Sequence, residues 1–182
     1  MKFLYPMLFV RSIKKGWMLW MALLISICCT AQNSLSWRDQ IDELIEQTDS
    51  LSLKSQTTFY ITKYLKHDRT IKETWYYTLK EGKPVFFQLR YVVDSSEFVE
   101  SYYLDKNRLV CMARFEDPFN AKPVDYNNTE ICFFLNNTLR QYIVSGRQKD
   151  YVSKFERQNQ CLERFEERFT ELRANLRQKP VY

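Results

Sequence analysis

Tyr102-Tyr103-Leu104-Asp105-Lys106-Asn107-Arg108-Leu109 reads as a β-hairpin in eight residues. The aromatic and aliphatic side chains suit a pleated strand, and Asp-Lys-Asn supplies a polar turn in which Asn tolerates left-handed backbone. The phrase recurs: an aromatic residue, a leucine, a polar turn, then an apolar residue. It spans Tyr64–Ile71 around His67-Asp68-Arg69, and Tyr77–Val85 around Glu81-Gly82-Lys83. It returns in Phe133–Leu139 around Asn136-Asn137. Each copy has the grammar of two strands joined by a tight turn.

Outward from these turns the period is two. Trp75, Tyr77 and Leu79 alternate with Thr74, Tyr76 and Thr78; Val85, Phe87, Leu89 and Tyr91 alternate with Phe86, Gln88 and Arg90. Further strands are expected around Phe59–Lys63, Phe98–Leu104, Arg108–Phe115, Glu130–Leu135 and Leu139–Val144. Strands joined by short turns form an antiparallel meander, because parallel neighbours need long crossovers. The segment Glu116–Asn128, with Pro118 and Pro123, breaks the period and reads as the longest loop.

Helices flank the meander. Ser36 is a suitable cap, and Trp37, Ile41, Leu44, Ile45 and Thr48 form one stripe, so a helix is expected over 37–49. A second is expected over 150–178, capped by Asp150 or by Ser153 with Glu156, and stopped by Pro180. Phe155, Leu162, Phe169 and Leu176 stand seven apart, with Gln158, Phe165 and Leu172 between them. That stripe suits a lid across the sheet, or alternatively a homodimer seam. The fold class is therefore α+β: a meander of six or seven strands over 57–144, packed against a short N-terminal helix and a long C-terminal one.

Residues 1–31 differ from the rest. Lys2, Arg11, Lys14 and Lys15 precede an apolar run from Trp17 to Cys28, and Cys29-Thr30-Ala31 follows. This is the order of a secretory signal, with cleavage expected between Ala31 and Gln32. The run is short for a membrane span, which needs roughly 20 residues. The exported part, 32–182, then reads as one domain with no transmembrane span. Without the four basic residues of the signal, the 27 basic residues of the chain fall to 23 against 22 acidic ones. The basic balance belongs mostly to the signal, and no nucleic-acid partner is expected.

No nucleophile elbow, phosphate-cradling glycine loop, CxxC or paired metal-ligand motif occurs in the 182 residues. Only three glycines are present. Gly82 alone falls within 64–140, which separates these hairpins from glycine-rich repeats of the MORN type. The one histidine, His67, falls in an expected turn. No catalytic, cofactor-binding or metal-binding residue is assigned, and no cofactor. Cys111 and Cys132 fall on expected strands and are candidates for a disulfide. The surplus is aromatic, 16% of the chain. Tyr76, Phe86, Phe98, Tyr102 and Tyr142 are candidates for one aromatic sheet face, either core or a binding surface. These features suggest a non-enzymatic binding module of the bacterial cell envelope, periplasmic or secreted. Its partner would be another envelope protein, or else a sugar or apolar ligand. Alternatives are an assembly protein that dimerises through its last helix, and an enzyme of unrecognised type.

Overall fold

The computed structural model describes residues 37–64, 69–119, 128–146 and 152–178. The expected signal with its Ala31–Gln32 junction, His67 and the middle of the expected loop lie outside the described residues. The elements are α1 (37–55), β1 (Thr57–Tyr64), β2 (Thr70–Lys80), β3 (Lys83–Val93), β4 (Ser96–Asp105), β5 (Arg108–Pro118), β6 (Asn128–Leu135), β7 (Thr138–Ser145) and α2 (Lys154–Gln178). The strands form one antiparallel sheet in sequence order, β1 to β7. The expected α+β meander is the observed fold.

The recurring phrase becomes a repeated bulged hairpin. Glu81-Gly82, Lys106-Asn107 and Asn136-Asn137 all have positive φ at both residues. Two left-handed residues in a row give a turn whose twist matches the flanking strands. Beside each turn the register slips by one. Leu79 faces Pro84 while Thr78 faces Phe86, Leu104 faces Leu109 while Tyr103 faces Cys111, and Phe134 faces Leu139 while Phe133 faces Gln141. The extra residue is Val85, Val110 or Arg140. Because of the bulge, Leu109 and Met112 are both buried on one face although three residues apart, an odd spacing that unbroken period two forbids.

That face holds the main core. One cross-strand row runs Tyr77, Phe87, Tyr102, Met112, Cys132, Tyr142. Phe87 stacks on Tyr102 at 4.5 Å between ring centroids and meets Phe165 at 6.4 Å and Phe169 at 6.2 Å from α2. Helix α2 is thus the lid of this core. Ser153 caps it: its Oγ accepts from the Glu156 N–H at 3.2 Å. Its buried positions are Arg157, Cys161, Phe165, Phe169 and Leu172, spaced mostly by four. The heptad reading fails at its first position, since Phe155 is 72% exposed. A straight helix drifts past a seven-residue repeat, and a sheet, unlike a partner helix, does not wind to follow it.

The opposite face is buried along Thr78, Phe86, Cys111 and Phe133. Tyr103, beside Phe86, donates to Asp49 Oδ1 of α1 at 2.9 Å, and Thr78 shares a hydrogen bond of 2.8 Å with Ser52. These contacts correct the expected end of α1. The helix does not stop at Asp49 but continues to residue 55, closed by the Gln56 N–H on the Ser52 carbonyl. Its stripe passes from half-buried Ile45 through Thr48, where the expected stripe ended, to buried Ser52, a side chain too small and polar to register as hydrophobic. The chain divides into two compact units at Leu44–Ile45, inside α1. The first is described only for 37–44, where Arg38 Nε donates to Asp42 at 2.9 Å.

The expected loop is also corrected. Strand β5 runs on to Pro118 and β6 begins at Asn128, with Glu116 facing Asn128. Only 120–127 fall outside the description there.

Candidate functional site

Next to the apolar row, the core-side face carries a second row: Phe59, Trp75, Leu89, Glu100, Arg114, Glu130, Val144. Its middle is an alternating charge ladder, Glu100–Arg114–Glu130, laid across three strands beneath α2. Glu73 lies on the same face of β2, two residues before Trp75. Glu73 and Glu100 are each only 2% exposed. Carboxylates this deep need compensation, and they have it. Glu73 Oε2 accepts from the Trp75 indole at 3.0 Å, and its Oε1 from Arg168 at 3.1 Å, with Lys63 Nζ at 3.3 Å. Glu100 Oε1 accepts from the Tyr91 hydroxyl at 2.8 Å and Oε2 from the Tyr102 hydroxyl at 2.9 Å. Arg168 Nε stands 3.4 Å from Glu100 Oε2, so one guanidinium from α2 clamps both acids. Glu171 extends the network to Lys63 at 2.6 Å.

Every carboxylate oxygen of Glu73 and Glu100 already has a protein partner. The arrangement fixes α2 to the sheet and leaves no oxygen of these two acids aimed at a substrate. Burial pushes the Tyr91 hydroxyl up to about 12, helped by the charge and hydrogen bond of Glu100. Tyr102 is raised well above its ordinary range for the same reasons, and Tyr103 by burial and Asp49. These phenols stay neutral when folded but ionise near pH 10 when unfolded. Their stabilisation is therefore complete below about pH 10, and that from Tyr91 is lost as pH rises through about 12. Tyrosinate absorbance and circular dichroism followed together in an alkaline titration should show Tyr91 and Tyr102 ionising only as the fold melts. Tyr91→Phe should make the alkaline limb shallower. Ionisation of all 12 tyrosines near pH 10 with the fold intact would contradict this.

The ladder opens at its far end. Arg114, Glu116, Asn128, Thr129, Glu130, Val144, Ser145 and Arg157 line a cleft of about 190 Å³. Arg157 is buried, ion-paired with Glu130, and lies over the Tyr142 ring at 4.9 Å. Arg114 lies over Phe98 at 5.0 Å. In the cleft lining, Arg114 Nε, Arg157 Nε and Asn128 Oδ1 are buried without a hydrogen-bond partner. Glu130, Cys132 and Cys161 bring ligand atoms within 4.8 Å of one another, the one such group of three among the described residues. Arg157 already holds the Glu130 carboxylate, and its positive charge opposes a cation there.

The five aromatics read from the sequence do not share a face. Phe98, Tyr102 and Tyr142 are on the α2 side; Tyr76 and Phe86 are on the other. Tyr102 is core and fully buried, and Phe86 is buried beside Tyr103. Tyr142 is exposed, and Tyr76, beneath the Arg90 guanidinium at 5.9 Å, and Phe98 are half-buried. Cys111 and Cys132 cannot form the expected bridge. Cys111 faces Phe133 and Cys132 faces Met112, so the two thiols project from opposite sides of the sheet. The charge ladder lies outside the sequence expectation, although its signal is present. Glu73, Glu100 and Glu130 interrupt otherwise apolar period-two sets, as in Ile71-Glu73-Trp75-Tyr77.

No protein-family model, curated protein or solved structure matches the chain.

Proposed function

We propose that the protein is an exported, non-enzymatic interaction module of the bacterial cell envelope, and that a partner protein docks on the uncovered half of the second sheet face. The observation that carries this is one cross-strand row: Tyr60, Thr74, Arg90, Val99, Phe115, Thr129, Ser145. It lies two rows beyond the residues buried with α1. Tyr60 is 76% exposed and Phe115 40%. Val92 and Ile143, exposed on the same face, widen it. Aromatic and arginine side chains on a rigid sheet supply contact area at low conformational cost, the mixture enriched where proteins meet. The N-region, apolar run and small-residue junction of 1–31 support export.

Two measurements on the full chain expressed in a Gram-negative bacterium test this. The intact mass should start at Gln32. A photo-crosslinking residue at Phe115 should trap a discrete envelope protein, and one at Glu163, on the exposed side of α2, should not. Phe115→Asp should abolish a discrete adduct formed from Tyr60 while leaving the melting temperature within a degree or two, as for a surface change. A chain retaining Met1, or equal adducts at both positions, would refute the reading.

A further inference from the structure

Beneath α2, the thiols of Cys132 on β6 and Cys161 on α2 stand 3.5 Å apart, both buried. We propose that Cys132 and Cys161 are a disulfide-forming pair that locks α2 onto the sheet. A disulfide needs the sulfurs at about 2.05 Å, so closure asks for about 1.5 Å of approach, within reach of small rotations about both side chains. No other described thiol competes, because Cys111 projects from the opposite face. The bridge would close a loop that includes 147–151, the link on which α2 depends for its chain connection to β7, and a cross-link stabilises by restricting that loop in the unfolded chain.

The chemistry balances as thiol–disulfide exchange. A small-molecule or protein disulfide is the oxidant. The Cys161 thiolate attacks one of its sulfurs, forming a mixed disulfide and releasing one thiol. Cys132 loses its proton, attacks the Cys161 sulfur and releases the second thiol. Protein thiols are oxidised by two electrons and the oxidant is reduced to two thiols. Cys161 suits the first role: the hydrogen bond with Cys132 lowers its pKa, and Arg164 and Arg157 also act downward. The same hydrogen bond, with burial, pushes Cys132 up. Since both sulfurs are covered, exchange in the folded chain requires α2 to lift and should be slower than exchange during refolding. The inference stands on this geometry; an export route would place the chain where such an oxidant is present.

The test is to equilibrate the reduced full chain with oxidised glutathione, block remaining thiols with an alkylating agent in denaturant, and map tryptic peptides. Trypsin places Cys132 in 115–140, Cys161 in 158–164 and Cys111 in 109–114. The expected product joins 115–140 to 158–164, and the oxidised chain melts higher than the reduced one. Cys111→Ser should leave both results unchanged, and Cys161→Ser should remove both. If Cys161→Ser fails to fold, the Cys111→Ser chain still decides the matter. Recovery of Cys132 and Cys161 each alkylated, a link through 109–114, or protection that a chelator reverses, which would mean a bound metal, would overturn the proposal.

Discussion

Replacing Arg168 by alanine should lower the unfolding free energy by about 3–5 kcal/mol, the range for breaking a buried ion pair from one side. The cause is what remains. Glu73 and Glu100, both buried, would lose the guanidinium that stands between them. Lys63 and Trp75 would still face Glu73, and Tyr91 and Tyr102 would still face Glu100. Glu100 would keep the two phenols and one more distant cation, Arg114 Nε at 3.9 Å. Urea unfolding of Arg168→Ala against the parent chain measures the loss. Arg168→Lys should lose less, because the charge survives but the fork that spans two acids does not. Adding salt should barely change either result, since a covered network is poorly screened. A loss under about 1 kcal/mol, typical of an exposed pair, would mean that the clamp is solvated and does not hold α2.

This network also shows where sequence reading succeeds and stops. Period-two alternation was enough to place seven strands, because each strand buries one face and the pleat repeats every two residues. The turns were legible because Glu81-Gly82, Lys106-Asn107 and Asn136-Asn137 require left-handed backbone that few residues tolerate. What failed was the assignment of faces between strands. The extra residues Val85, Val110 and Arg140 shift each second strand by one, and nothing in their identity announces a bulge. A shift of one inverts every side chain that follows. Hence period two alone groups Phe86 with Tyr102 and Cys111 with Cys132, and the sheet divides both pairs. The end of α1 is hidden for another reason: Ser52 is buried through its hydrogen bond with Thr78, which a hydrophobic stripe does not report. The acids of the ladder were visible at apolar positions, but Arg168, which makes them tolerable, sits 95 residues from Glu73 in a helix whose register on the sheet the sequence leaves open.

Phe165→Ala and Leu172→Ala should each destabilise the monomer by about 2–5 kcal/mol, the cost of a large-to-small change in a core. Phe165 meets Phe87, Tyr102 and Phe169, with centroids at 6.4, 6.1 and 5.2 Å, and Leu172 is fully buried. Removing either leaves a void between α2 and the sheet that aromatic rings on a fixed strand cannot close. The sequence allowed two roles for this stripe, and the two variants separate them. If the stripe is the lid, both lower the denaturant midpoint, and the mass in solution matches the parent's at every concentration. If it is an assembly seam, the midpoint depends on protein concentration and the variants shift the parent toward a smaller species. The geometry favours the first outcome. The apolar side of α2 is spent on its own sheet, and the opposite side presents Glu163, Glu166, Glu167 and Arg173 to solvent.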